Sequence, residues 1–309
     1  MILTVTLNTS IDKAYRISST LERGTVMRVA ECIDNAGGKG LNASRSVATC
    51  GEEVLATGFV GGNNGRLLCE LLDRDKIPHD FVKVATETRC CVNVLEPDGL
   101  STEFLEPGRE VTPEELAALE ERLVSLVSRA DVVTMSGSFP KGLPADTYVR
   151  LIKLVRSQGK PCILDTSGAT LKASIDALPT MVKPNTDEIG QILDRKVSSV
   201  DEVIGAAREL HERGIAQVVV SLGGDGAVMA CDEGPSAALR QIEVVNPVGA
   251  GDTMVGAFAV AMARGLKPAE QLRYAMACAS ANCMSASTGH FDMEVARGLM
   301  DGTHVERVA

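Results

Sequence analysis

Residues 112–165 read TPEELAALEERLVSLVSRADVVTMSGSFPKGLPADTYVRLIKLVRSQGKPCILD. Thr112 is a favoured helix N-cap and Pro113 suits a first helical position, so a helix is predicted from Glu114 to Arg129. An apolar strand follows over Asp131–Met135, with Ser136-Gly137-Ser138 at its carboxyl end. A second helix is predicted over Ala145–Gln158 and a second strand over Cys162–Asp165. Helix, strand, helix, strand with uniformly apolar strands indicates a mostly parallel sheet covered by helices on both faces.

The same alternation continues in both directions. Strands are predicted at Ile2–Leu7, Val54–Val60, Met181-Val182, Gln217–Ser221 and Ala227–Cys231. Helices are predicted at Lys39–Cys50, Asn63–Arg74, Asp201–Arg213, Ala250–Arg264 and Pro268–Ser287. Asn8, Ser136, Asp165, Asn185 and Ser221 cluster at strand ends, the edge where such sheets bind ligands. Two segments break the rhythm. Residues 13–33 and 88–106 each read as paired extended pieces, the second turning at Pro97-Asp98-Gly99. They are expected to form a small β-sheet lid. Residues 1–12, 34–87 and 107–309 would then form the main α/β unit.

The chain has 309 residues, with 31 Lys and Arg against 41 Asp and Glu, a net charge of −10. That balance argues against a nucleic-acid or anionic-membrane partner. It leaves room for an anionic small molecule held by a few local cations. The nine cysteines form no CxxC pair and no zinc spacing, so buried thiols in a reducing, cytoplasmic setting are expected. No leader pattern is visible, and the longest apolar run, Met254–Ala263, is about half a membrane span. His79, His211, His290 and His304 are scattered and read as surface residues.

Four loops carry chemistry. Asn246-Pro247-Val248-Gly249-Ala250-Gly251-Asp252-Thr253 opens a helix, where glycines let backbone N–H groups converge on an anion. Asp252 beside such a hole can accept a proton while the amides stabilise a transferring phosphoryl group; a plain helix cap is the alternative. Ala36-Gly37-Gly38-Lys39-Gly40-Leu41-Asn42 is not a Walker A loop, yet its amides and one ammonium can hold a sugar or its phosphate. Asn185 and Glu188 in KPNTDE have the spacing to hold a hydrated magnesium ion, or to cap a helix. Ser221-Leu222-Gly223-Gly224-Asp225-Gly226 can wrap a nucleotide or close a hairpin.

The ordered set AGGKGLNASR, SGSFPKG, LDTSGATL, KPNTDE, VSLGGDGA and NPVGAGD resembles the ribokinase-like (phosphofructokinase-B type) carbohydrate kinases over essentially the whole chain. That resemblance implies an ATP-dependent kinase with Asp252 as the base and Gly249, Ala250 and Gly251 as the anion hole. It implies sugar contacts from Asp12, Gly38, Lys39 and Asn42, with Arg28 and Arg89 for a substrate phosphate. Lys183, Asn185 and Glu188 would face ATP and magnesium, the last two through water. Ser221, Gly223, Gly226 and Asn282 line up with nucleotide-binding positions. Potassium as an activator and a homodimer through the lid stay open.

Within the family, MILTVTLNTSID, ETRCCVNVL, TEFLEPG, SGATL and VVNPVGAGD resemble the branch acting on ketohexose phosphates. The strings lean to tagatose 6-phosphate as substrate, with fructose 1-phosphate as the alternative and fructose 6-phosphate behind it. Two departures are Thr9, where the branch carries Pro, and Phe139, where it carries Leu. Rival readings are a non-catalytic sugar-phosphate sensor and a nucleoside or vitamin kinase. The retained Asp252 argues against the first, and Arg28, Lys39 and Arg89 against the second.

Overall fold

In the computed structural model, which describes all residues except 240, 241, 243, 286–288 and 309, the helix after Thr112 begins with a reciprocal cap. The Thr112 hydroxyl accepts from the Glu115 N–H at 3.3 Å, and the Glu115 carboxylate accepts from the Thr112 N–H at 2.8 Å. Leu116, Leu119, Leu123, Leu126 and Val127 then bury one face of this helix. Each contributes about 1.5–3 kcal/mol of transfer free energy.

The elements run in the predicted alternation. First come β1 (Ile2–Thr6), β2 (Ser10–Arg16), β3 (Glu31–Gly37), α1 (Lys39–Thr49), β4 (Val54–Gly61) and α2 (Gly62–Arg74). Then follow β5 (Val82–Val84), β6 (Arg89–Leu95), β7 (Ser101–Leu105), α3 (Pro113–Arg129), β8 (Val132–Ser136) and α4 (Thr147–Ser157). Next are β9 (Cys162–Asp165), α5 (Gly168–Ser174), β10 (Met181–Val182), α6 (Thr186–Ile192), α7 (Val200–Glu212) and β11 (Gln217–Ser221). The chain closes with β12 (Ala227–Ala230), β13 (Ser236–Leu239), α8 (Ala250–Ala263), α9 (Pro268–Cys283), α10 (Met293–Asp301) and β14 (His304–Arg307). The predicted last two residues of α9, 286 and 287, lie outside the described residues.

Among the described residues the large sheet has ten strands, ordered β14-β13-β12-β11-β10-β9-β8-β1-β4-β5. It is parallel from β11 to β5, and β12, β13 and β14 join antiparallel at one edge. Aliphatic cores fill both faces, one under α1, α2, α8 and α9, the other under α3, α4 and α7.

The small sheet has the order β3-β2-β6-β7. Its ladder reaches beyond residues 13 and 33, because Ser10 still pairs with Gly37 and Asp12 with Asn35. Asp12 therefore belongs to a strand of this sheet, and β3 runs directly into α1. Gly37 is needed for that junction, since a Cβ there would stand 2.0 Å from the Asp12 Cγ.

Helices α1 and α8 lie in close contact across Gly256, where a Cβ would meet the Ala43 carbonyl at 2.7 Å. The Ser46 hydroxyl also donates to the Thr253 Oγ1 at 3.1 Å. This closeness brings the first turns of the two helices, with Lys39, Asn42 and Asp252, to the same sheet edge. Thr9 and Phe139, the two departures, have local partners: the Thr9 hydroxyl donates to the Phe59 carbonyl at 2.7 Å, and Phe139 packs on Tyr148.

Candidate active site

Gly249 precedes α8 with φ 78°, a left-handed conformation that glycine adopts without cost. The Ala250 N–H donates to the Pro247 carbonyl at 3.3 Å, and the Thr253 N–H to the Gly249 carbonyl at 2.8 Å. Among the described residues, the first-turn donors left for a ligand are therefore those of Gly251 and Asp252. The helix dipole favours an anion there. A Cβ on Gly251 would lie 3.3 Å from the Lys183 ammonium, so that cation sits directly over the same turn.

The Asp252 carboxylate is held at both oxygens. Lys39 Nζ donates to Oδ1 at 3.2 Å, and Asn42 Nδ2 donates to Oδ2 at 2.8 Å. Lys39 also donates to Asp165 Oδ2 at 3.0 Å, while Lys183 Nζ lies 3.5 Å from Asp165 Oδ1. Two ammonium groups thus balance two carboxylates. The Asp165 side chain is only 4% exposed, yet Lys39 is 46% exposed and open toward a ligand. Burial pushes the Asp165 carboxyl up, but Lys183 and Lys39 together outweigh it and hold the group below its ordinary range. The Asp165 carboxylate is in turn the largest influence raising the Lys39 ammonium, with Asp252 adding to it.

Gly38 caps α1 at φ 111°, with its carbonyl accepting from the Leu41 and Asn42 N–H groups. Asp12 accepts from the Ser10 hydroxyl at 2.6 Å; desolvation raises its carboxyl against that bond and the fields of Arg89 and Arg45. Arg89 and Arg109 line one small cavity with Asn8, Thr9, Glu87 and Pro140. The Arg89 guanidinium donates to the Glu106 and Asn8 carbonyls at 2.9 and 3.2 Å, and its buried Nε has no partner among the described residues. Arg28 stays exposed between β2 and β3, without a hydrogen-bond or ion-pair partner among the described residues.

On the other side, Asn185 and Glu188 form a reciprocal cap at α6. The Asn185 Oδ1 accepts from the Glu188 N–H at 2.8 Å, and the Glu188 Oε2 accepts from the Asn185 N–H at 2.9 Å. Ser221 ends β11, and Gly223 and Gly226, with φ 62° and 97°, shape the loop into antiparallel β12. Asn282 is fully buried. Its Nδ2 donates to the Val248 carbonyl at 3.0 Å and its Oδ1 accepts from the Gly289 N–H at 2.9 Å. It therefore braces the 246–253 loop from behind.

The sequence marks Asp165 only as one of the polar residues at the strand ends and does not single out Arg45 or Arg109. Asp165 joins both lysines, a role no spacing announces. Arg45 follows Asn42 at helical i,i+3 spacing, a signal that was available. Its Nη1 donates to Asn42 Oδ1 at 3.0 Å.

The sequence pattern of the pfkB family of carbohydrate kinases matches residues 5–295. Phosphofructokinase-2 from Escherichia coli, in complex with potassium, superposes with a TM-score of 0.93 at 30% identity, covering 97% of this chain and 98% of that one. A possible 1-phosphofructokinase from Thermotoga maritima gives 0.92 at 27% identity over 100% of both chains. Arabidopsis thaliana ribokinase, complexed with ribose and ATP, shares the fold with a TM-score of 0.76 at 24% identity, covering 97% of this chain and 98% of that one. The E. coli enzyme is also described with fructose-6-phosphate and as a tetrameric inhibited form. Among the described residues no helix is long and apolar enough to cross a membrane.

Proposed function

Because the chain belongs to the pfkB family of carbohydrate kinases, we propose that it moves the γ-phosphoryl group of ATP to a hydroxyl of a ketohexose phosphate, D-tagatose 6-phosphate first. The observation that carries the chemistry is the Asp252 carboxylate, fixed by Lys39 and Asn42 beside the open N–H groups of α8. Asp252 takes the proton of the attacking hydroxyl. The hydroxyl oxygen bonds to the γ-phosphorus as the bond to the ADP oxygen breaks. The Gly251 and Asp252 amides and Lys183 offset the charge on the transferring group. Such transfer depends on positioning and charge stabilisation.

Asp12, Gly38 and Asn42 orient the sugar, and Arg89 with Arg109 receives its phosphate. Arg89 and Arg109 line the same small cavity, which supports an anion there, while Arg28 is not among its lining residues. Gly223 and Gly226 leave the nucleotide room, with Asn282 supporting the loop. Asn185 and Glu188 fit a magnesium ion held through its own waters, since the cap engages only one carboxylate oxygen of Glu188. When bound, the ion neutralises phosphate charge. Potassium is a candidate activator, by likeness to the E. coli enzyme. The small sheet is read as a lid, and its exposed Ile33 and Leu105, which the strand register puts on one side of it, as a face for a second copy. A cytoplasmic setting accompanies this reading.

The strings ETRCCVNVL and SGATL support tagatose 6-phosphate. The full-length likeness to the T. maritima protein favours fructose 1-phosphate as a second reading. ADP release over tagatose 6-phosphate, fructose 1-phosphate, fructose 6-phosphate and the free sugars decides between them. A kcat/KM for tagatose 6-phosphate at least about tenfold above the rest, about 1.4 kcal/mol, is expected. A preference for fructose 1-phosphate overturns the substrate while leaving the Asp252 chemistry standing. Asp252→Asn should fold and bind ATP but lose about 10²–10⁴-fold in kcat. Full turnover in that variant rejects the base.

A further inference from the structure

We propose that Arg45 is a positioning residue for phosphoryl transfer, acting by locking the Asn42 amide so that it holds Asp252. The inference rests on Asp252 being the base. An amide side chain has one donor end and one acceptor end. Only the Nδ2 end of Asn42 attracts the Asp252 carboxylate; a flip would set Oδ1 against it, acceptor to acceptor. The guanidinium offers donors alone, so its contact with Asn42 Oδ1 at 3.0 Å permits one orientation of the amide. That orientation directs Nδ2 to Asp252 Oδ2 at 2.8 Å.

Arg45 is itself fixed. It is buried at 3% exposure, and its Nε donates to Asp75 Oδ2 at 3.1 Å. Its Nη2 donates to the Ala36 carbonyl. Asp75 caps the end of α2, and Ala36 lies in β3 just before the Gly37-Gly38 junction. The line Asp75–Arg45–Asn42–Asp252 therefore ties the second helix and the small sheet to the base. With Lys39 on the other oxygen, the plane of the Asp252 carboxylate is set from both sides. Arg45 touches neither Asp252 nor the anion hole in these contacts, so its effect on the base passes through Asn42; its separate field on Asp12 would show in the KM for the sugar phosphate.

A planar fork serves three acceptors at once, which a lysine ammonium on a flexible stem does not reproduce. Arg45→Lys keeps the charge and is the primary variant; Arg45→Met removes it. Kinetics of Arg45→Lys, Asn42→Ala and the double variant form the test, with Asp252→Asn alongside and thermal unfolding to confirm folding. The expected result is a loss of about 10²-fold in kcat for Arg45→Lys with the KM for ATP unchanged. In the Asn42→Ala background the same substitution should cost less than about threefold, because coupled residues are non-additive. An equal loss in both backgrounds overturns the proposal and makes Arg45 a packing residue only. If that equal loss occurs while Asp252→Asn is inactive, the base assignment survives alone. If Asp252→Asn turns over normally, both fall.

Discussion

Around Asp252 each charged group is held by a residue from a remote part of the chain, whereas around Asn185 the polar groups are held by their immediate neighbours. The Lys39–Asp252 contact spans 213 positions, Asn42–Asp252 spans 210 and Lys39–Asp165 spans 126. The Asn185–Glu188 contacts span three. One side is a buried lattice that exists only when the sheet, α1 and α8 have assembled. The other is a helix cap that forms from local backbone alone. The acceptor side of the proposed reaction is thus preorganised by the fold, and the nucleotide side is left freer to adjust to a ligand.

The sharpest way to break this contrast is to remove the charge at the centre of the lattice. Asp165→Asn leaves Lys39 and Lys183 facing each other without their shared carboxylate. Removing one partner of a buried ion pair costs about 3–5 kcal/mol, so a loss of that order is expected in urea unfolding near neutral pH. The pH dependence has a definite sign. Asp165 sits below its ordinary value of 3.8 in the folded chain, so its stabilisation is present above that pH and lost as pH falls through the lower folded value. The wild type should therefore shed stability on acidification in that window, and Asp165→Asn should lose that part of the slope. An unchanged acid limb would mean that the two lysines are not held through Asp165.

Next in size is Lys39→Met. It removes one of the two donors to Asp252 and uncovers one oxygen of Asp165. A fall of about 10²–10³-fold in kcat is expected, the usual consequence of losing one preorganised charge-stabilising donor. Steady-state kinetics over both substrates checks it. A loss below about tenfold would show that Asn42 alone orients the carboxylate, and the lattice would be less essential than its contacts suggest.

The same contrast explains what could be read from the chain. Periodicity and caps belong to neighbouring residues, so the α3–β8–α4–β9 alternation and the Thr112 cap were legible. The edge strands β5 and β14 were not, nor was β13 beside β14, nor the helices α5, α6 and α10, none longer than nine residues. Asp252, Lys39 and Asn42 stood out through loop chemistry and family likeness. Their meeting did not, since it depends on Gly256 letting α1 lie against α8. Asn282 was assigned toward the nucleotide, whereas its two amide ends face the Val248 carbonyl and the Gly289 N–H. A sequence shows that an amide is present, and only the fold shows which way its ends are satisfied.

The smallest effect belongs to the local side. Asn185→Ala removes the N-cap of α6, which costs about 0.5–2 kcal/mol, a shift of only a few degrees in Tm. Asn185→Asp retains a capping oxygen and so separates the cap from any ion-holding role. If Asn185 only caps, the Asp variant should match the wild type at every magnesium concentration. If it also faces hydrated magnesium, the added charge should lower the magnesium concentration needed for half-maximal rate, with the KM for the sugar phosphate unchanged. The Ala variant should raise that concentration and the KM for ATP together. A change in the sugar KM instead would join this loop to the lattice around Asp252 and remove the distinction between the two sides.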